Sequence, residues 1–413
     1  LTGHVSLIVQ KYGGTSVGSV ERIKAVADRV VRARAQGDQL VVVVSAMAGE
    51  TNRLFALSEQ LSDAPNPRET DVLVATGEQV SAALVAIRLR ALGCPTVSFL
   101  AYQLKLITDS CHGAARIKSI DGSRLRAALD GGNVAVVAGY QGIDADGNLT
   151  TLGRGASDLT AVALAAALKA DVCEIYTDVD GVYTADPNIC AQARRLDRVS
   201  YDEMLEMAGL GAKVLQLRSV ELARRFQVPL VVRSSFAEDS GGTWVGEEDQ
   251  AMEDLLVSGV TLDQNQSKLT LAGVEDRPGL AARIFGPIAD AGIVVDMIIQ
   301  NAGADGRADL TFTVGKSDLR RALDLIKLVA DEIGAAGVRF DDQVAKVSIV
   351  GVGMRTHAGV AARMFAVLAA EAINIEMIAT SEIKVSVIVN AKYGELAMRA
   401  LHDAFLGDNA SEM

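Results

Sequence analysis

The sequence predicts an α/β protein: a mostly parallel sheet with helices on both faces, followed by two ferredoxin-like α+β units. Three observations carry that reading. Over residues 1–235, short and nearly all-apolar segments alternate with Ala-rich or amphipathic ones, the pattern of a parallel sheet covered on both faces. The last third repeats itself, 268–301 against 346–381, and such self-similarity marks a duplicated unit. Each copy runs strand, helix, strand, strand, helix, which is the ferredoxin-like order. The length of 413 residues suits roughly two to three domains at about 150 residues each.

In chain order, the strand candidates of the first part are SLIVQKY, LVVVVS (40–45), VAVVAG (134–139), CEIYTD (173–178) and VPLVVRS (228–234). β-Branched residues dominate them, and such side chains pack well on a pleated surface. Helices are expected near 20–36, 78–92, 158–169 and 201–208. The acidic, Gly-rich stretch 236–254, FAEDSGGTWVGEEDQAMED, reads as linker. The expected domains are therefore 1–240, a linker at 241–254, then 255–340 and 341–413.

The repeats align at an offset of 78 residues at Lys268/Lys346 and Gly273/Gly351. A two-residue insertion makes the offset 80 at Gly279/Gly359, Arg283/Arg363, Phe285/Phe365 and Met297/Met377. The second copy lacks a closing strand, because the chain ends in polar GDNASEM. The strand-like piece LLVSGVTLD (255–263) is expected to supply it, which would intertwine the two copies.

Composition narrows the function classes. Apolar residues are 49% and charged residues 22%, a globular balance rather than a disordered one. The longest uncharged run, Ala91 to Leu104, is 14 residues, short of the ~20 a membrane-spanning helix needs. A net charge of −12 disfavours nucleic-acid and anionic-membrane partners. The amino terminus shows no signal-peptide pattern, and four cysteines without a C-x-x-C pair make no disulfide framework. A cytoplasmic, reduced protein is expected. Four scattered histidines lack metal-ligand spacing, so no structural zinc site is expected.

Neither a G-x-x-x-x-G-K-[ST] loop nor a strand-anchored G-x-G-x-x-G is present. Four glycine-rich or acidic loops do follow predicted strands: VQKYGGTSVGS, VVSAMAGETNR (43–53), TTLGRGASDLT and EIYTDVDGVYTADPN. Taken alone, each is readable as a strand-to-helix turn or a surface turn, with Ser157 or Asp158 as a helix cap. Arg154 between two glycines is harder to dismiss, because a guanidinium fork suits a carboxylate or phosphate. Four such loops would converge at the carboxyl edge of one sheet, where open α/β folds bind ligands. Together they and their neighbours offer cations (Lys11, Arg154, Lys213), carboxylates (Glu78, Asp158) and glycine N–H donors. That inventory fits phosphoryl transfer, which runs on positioning and charge neutralisation.

These residues resemble a known family. KYGGTSVGS, VVSAMAGETN, ATGEQ (75–79), TLGRGASD, YTDVDGVYTADP and GAKVLQLRSVE are similar, in the same order, to the motifs of bacterial aspartate kinases. The tail, with DRPGLAARIF, VDMIIQN, GMRTHAGVAARMF and NIEMIATSEIKVSV, resembles that family's paired ACT regulatory domains. The resemblance implies an amino-acid kinase fold and transfer from ATP, with Mg²⁺, to L-aspartate, giving 4-phospho-L-aspartate and ADP. It also places the chain at the first step toward lysine, threonine and methionine. By matching position, Lys11, Asp158 and Lys213 would be catalytic, and Gly13, Gly14 and Gly155 would bind phosphate. Ser45, Thr51, Glu78, Arg154 and Ser157 would hold aspartate, and Thr177, Asp178, Tyr183 and Asp186 the nucleotide. Lysine and/or threonine would bind the tail at Asp276, Gln300, Asn301, Asn374, Ile375, Ser381 and Glu382. A homo-oligomer, as a dimer or an α2β2-type assembly, is implied.

Two departures from the family pattern bear on activity. The family usually reads G-R-G-G-S-D, and this chain has Ala156 at the fourth position. With φ > 0 there, alanine would cost on the order of 1 kcal/mol. The family usually has arginine where this chain has Asn188, a loss of roughly 1.5–3 kcal/mol if that arginine made a charged hydrogen bond. Two alternatives follow: a weakened kinase acting as an amino-acid sensor, and a kinase of another acidic amino acid.

Overall fold

The structure, a computed structural model, describes residues 5–210, 214–237, 241–248, 256–303, 306–355 and 359–407. The chain divides into two compact units. One comprises Leu1–Val182, Arg195–Ala208 and Lys213–Gln250, and the other Tyr183–Arg194, Gly209–Ala212 and Ala251–Met413.

The first unit is built on an eight-stranded sheet. Its strand order is Arg198–Ser200, Thr243–Gly246, Leu230–Ser234, Val172–Thr177, Leu7–Tyr12, Gln39–Val44, Val134–Ala138, Thr96–Phe99. Neighbours run parallel except Leu230–Ser234 with Thr243–Gly246. Central parallel strands are covered on both faces, which is why Val41, Val42, Val43 and Val44 are all fully buried. On one face Val42, Val44 and Val136 meet Val26 and Val30 of the helix Val20–Ala35 and Val85 and Leu89 of the helix Thr76–Ala91. Ser19 starts the first of these helices, its Oγ accepting from the Arg22 N–H at 3.3 Å.

The remaining expected helices form at Ser157–Leu168 and Tyr201–Gly209. Two features depart from the sequence reading. Thr243–Gly246, inside the stretch expected as linker, is a strand between two others. Its Thr-Trp-Val core suits a sheet, but flanking glycines and acids hide a four-residue strand whose partners are distant in sequence. Residues 249–254 of that stretch lie outside the described residues. A second, four-stranded sheet of Ile107–Thr108, Ile117–Ser119, Gln141–Ile143 and Leu149–Thr151 was also not expected, because two- and three-residue strands show no periodicity. Among the described residues one helical stretch, Pro67–Ala91, is long and apolar enough to cross a membrane, and half of its most apolar window is buried in this unit.

The second unit carries both repeats on one six-stranded antiparallel sheet. The strand Gly259–Glu275 is shared. Its start, 259–263, pairs with 346–350 of the second repeat, and its later part, 266–272, pairs with 337–344. The piece before the first repeat thus closes the second, and the two copies are intertwined. Helices Leu280–Asp290 and Leu319–Ile333 cover the first copy's core, and Val360–Ala370 and Gly394–Leu406 the second's. The segment Tyr183–Arg194 packs here too. Ala185 and Cys190 join the second core, and His402 Nε2 lies 2.9 Å from Thr184 Oγ1.

Where the copies meet, Met297 and Met377, equivalent residues of the repeats, pack with Val344 and Ile388. Two ion pairs flank that contact, Lys268 with Glu376 and Lys346 with Asp296. Each repeat's first-strand lysine therefore grips a carboxylate on the other repeat's second strand.

Candidate active site

The site forms at the carboxyl ends of the first unit's central strands, where the chain must turn and backbone groups are released from the ladder. Lys11, on the strand Leu7–Tyr12, is buried and places Nζ 2.6 Å from Asp158 Oδ1, in the first turn of the helix Ser157–Leu168. A buried lysine needs such a partner to stay charged. The turn after the strand runs through Gly13 and Gly14. A Cβ on Gly14 would sit 2.9 Å from the Ala46 carbonyl oxygen, so this close approach requires glycine. The Gly13 N–H donates to the Tyr176 carbonyl at 3.1 Å and is thereby committed to the fold.

A cavity of about 220 Å³ opens beside this turn, lined by Gly14, Ser45, Thr51, Glu78, Tyr140, Arg154, Gly155 and Ser157 among others. Glu78 is 3% exposed. Its Oε1 accepts from the Ala46 N–H at 3.0 Å, and its Oε2 has no hydrogen-bond partner among the described residues. Burial pushes this carboxyl up to about 7, against the opposing pull of the Ala46 N–H. Such a group is ready to accept a cationic donor. Arg154 stands on the same cavity, exposed, its Nη1 donating to Asn52 Oδ1 at 2.7 Å and its guanidinium 5.1 Å from the Phe55 ring centre. The glycines around it have φ of 95° and 75°, at Gly153 and Gly155, a left-handed backbone that glycine adopts without penalty. Ala156 has φ of −76°, so the strain considered for alanine at that position does not arise. Its methyl is fully buried beside Leu152 and Leu159.

Thr177 and Asp178 follow the strand Val172–Thr177, with Thr177 Oγ1 donating to Asp178 Oδ1 at 3.2 Å. Tyr183 and Asp186 belong to the second unit. Asp186 Oδ1 accepts from the backbone and side-chain amides of Asn188 at 2.9 and 3.0 Å, so the asparagine in the usual arginine position closes a local turn. Lys213 lies outside the described residues. In the second unit, the exposed Gln300 donates to Asp276 Oδ1 at 3.0 Å, and Asn301, also exposed, follows on the same strand. Asn374 and Ile375 open the equivalent strand Ile375–Thr380, and the Ser381 N–H donates to the Lys384 carbonyl beside Glu382.

The sequence reading missed Tyr140, Asn52 and Phe55. Tyr140 lines the cavity at φ 70°, rare for an aromatic residue. Only the folded backbone shows that.

A glycine turn, a buried lysine–carboxylate pair and a small polar cavity at the ends of parallel strands define a kinase of small molecules, with a duplicated tail. The amino acid kinase family matches residues 6–234, and ACT domains match 269–328 and 347–405. The chain belongs to the amino acid kinase family. Within it, the chain is similar over nearly its full length to aspartokinases. That of Pseudomonas aeruginosa is 56% identical over 402 residues, covering 97% of this chain and 98% of the relative. That of Helicobacter pylori is 50% identical over 97% of this chain and 99% of the relative. The solved Escherichia coli aspartokinase III in complex with aspartate and ADP aligns over 96% of this chain and 99% of its own, at 29% identity and TM-score 0.81.

Proposed function

We propose that this chain is an aspartate kinase that moves the γ-phosphoryl of Mg-ATP to the side-chain carboxylate of L-aspartate and is feedback-inhibited through its ACT pair. The cavity that holds Arg154 and the unpartnered Oε2 of a buried Glu78 carries this reading. An α-amino acid presents a carboxylate and an ammonium on one carbon, and these two side chains answer both. Ser45, Thr51 and Ser157 line the same cavity and supply hydroxyls for the remaining oxygens.

In the transfer, an oxygen of the substrate's side-chain carboxylate forms a bond to the γ-phosphorus, and the bond from phosphorus to the β,γ-bridging oxygen breaks. ADP keeps that electron pair, so no protein nucleophile and no proton transfer are required. Lys11, held by Asp158, offsets charge that builds on the transferring group. Gly14 and Gly155 bring backbone amides close, and Thr177, Asp178, Tyr183, Asp186 and Lys213 are assigned to the nucleotide by motif. The donor set around Lys11 suits a polyphosphate, and Mg²⁺ bound with the nucleotide would supply charge neutralisation there and would need few protein ligands. Lysine and threonine are the proposed effectors, at Asp276, Gln300 and Asn301 and at Asn374, Ile375, Ser381 and Glu382. A homo-oligomer in the cytoplasm completes the reading. The helical φ of Ala156 removes one of the two observations that favoured a weakened sensor.

The test is ADP release from Mg-ATP and L-aspartate, with hydroxylamine trapping the acyl phosphate, with and without lysine plus threonine. Aspartate-dependent turnover suppressed by the effectors is expected. Binding of lysine or threonine without turnover would favour the sensor, and turnover on L-glutamate above that on aspartate the other acidic substrate.

A further inference from the structure

Beside the cavity, two charged side chains of opposite sign clasp the same pair of segments. Asp71, on the helix Pro67–Val74, is 1% exposed. Its carboxylate lies 2.8 Å from His112 Nδ1, accepts the Gly113 N–H at 3.1 Å and accepts the Thr151 hydroxyl at 2.5 Å. Arg218, on the helix Leu217–Phe226, donates from Nη1 to the Leu152 carbonyl at 2.6 Å and from Nη2 to the Ala115 carbonyl at 2.9 Å. Between these clasps the Ala115 N–H donates to the Thr151 carbonyl at 2.9 Å. Residues 112–115 are thus fastened to residues 151–152 from both sides, and residue 152 leads directly into Gly153, Arg154 and Gly155.

That placement matters because the turn has little stiffness of its own. Gly153 and Gly155 have no Cβ to restrict φ and ψ. Among the described residues the guanidinium of Arg154 is held by Asn52 and the Phe55 ring, both on a separate helix, Glu50–Leu61. A cation on a two-glycine swivel is aimed only if its base is fixed, and a displacement of about 1 Å at such a group costs on the order of 10²-fold in rate. We infer that Asp71 and Arg218 are positioning residues for substrate binding, acting through Arg154 by fixing the start of the turn that carries it. This rests on the assignment of Arg154 as the substrate's carboxylate anchor.

Asp71→Asn keeps the shape but sets an amide N–H against the donors the carboxylate accepted from, and Arg218→Met removes the opposite clasp while keeping an apolar stem. In the full chain, each is expected to raise KM for aspartate tenfold or more and KM for ATP less than twofold. Leu89→Ala, a core truncation remote from both clasps, serves as the control for lost stability and should leave both KM values unchanged. The decisive readout is the Arg154→Ala background, where neither clasp variant should raise KM for aspartate further by more than twofold. Equal effects with and without Arg154, or none in either, would overturn positioning through Arg154. An unchanged KM for aspartate in Arg154→Ala alone would overturn the anchor assignment, and the clasps' role with it. If Asp71→Asn fails to fold, Arg218→Met decides by the same readouts.

Discussion

The two units use buried charge in opposite ways. At the cavity of the first unit, Glu78, 3% exposed, keeps one carboxylate oxygen without a partner among the described residues, and burial raises its affinity for a proton. In the second unit, Lys346 is 2% exposed yet fully answered by Asp296, and Lys268 by Glu376. Desolvating a charge is costly unless it is paired. A binding site leaves that cost standing so that a ligand can relieve it, whereas the junction of two repeats removes the cost within the fold. Charge held in reserve marks the place where something binds.

That contrast is open to attack at Glu78 first. A carboxyl raised from 4.5 to about 7 favours the folded state below pH 4.5, and that stability is lost as pH rises through 7. At 1.36 kcal/mol per unit the loss is on the order of 3 kcal/mol. Urea unfolding without aspartate should therefore show a decline from pH 4.5 to 7 that Glu78→Gln flattens. If both proteins give the same pH dependence, Glu78 is not held in reserve. With the ionised form as the proposed partner of the ammonium, kcat/KM for aspartate should also rise as pH passes 7, and that rise should be lost in the glutamine variant.

Arg154→Ala should raise KM for aspartate about 100-fold, near 2.7 kcal/mol, while its melting temperature stays within about 2 °C of the parent. An exposed side chain contributes little to folding, so a large loss of stability would contradict a binding role.

In the second unit the prediction is an asymmetry. Asp296→Ala strands a buried ammonium and should cost about 2 kcal/mol in chemical unfolding, since Asp296 is itself partly exposed. Lys346→Met replaces the ammonium with an apolar group and frees Asp296 to meet water, so its cost should be below about 1 kcal/mol. Equal costs would mean that the pair is not desolvated as the structure implies.

The smallest effect is expected for Ala156→Gly with Asn188→Arg. Alanine at φ −76° carries no backbone strain, and Asn188 closes its own turn with Asp186. The double variant should gain less than about threefold in kcat/KM. A hundredfold gain would restore the reading of a weakened kinase.

The sequence made the central strands readable because parallel strands buried on both faces are written as apolar runs, as LVVVVS becomes Gln39–Val44. It exposed the repeats because two copies of one unit face the same packing problem, and the missing last strand of the second copy could be traced to residues before the first. The positions of Lys11, Glu78, Arg154 and Asp158 were legible because each lies at the end of a strand, follows one or opens a helix. Thr243–Gly246 was not, since its pairing with Arg198–Ser200 and Leu230–Ser234 is a long-range event that local composition contradicts.

What the sequence by itself determined is the alternation, the duplication and the inventory of charges. Those follow from local periodicity and residue type, which a linear chain records directly. Only the tertiary structure decided that Ala156 sits at negative φ, that the Gly13 amide is spent on Tyr176, and that Asp71 and Arg218 clasp the base of the arginine turn. Each depends on groups between about 40 and 160 residues apart, or on a backbone angle that neighbours impose. Distance through space, which no reading of residue order contains, settles such matters.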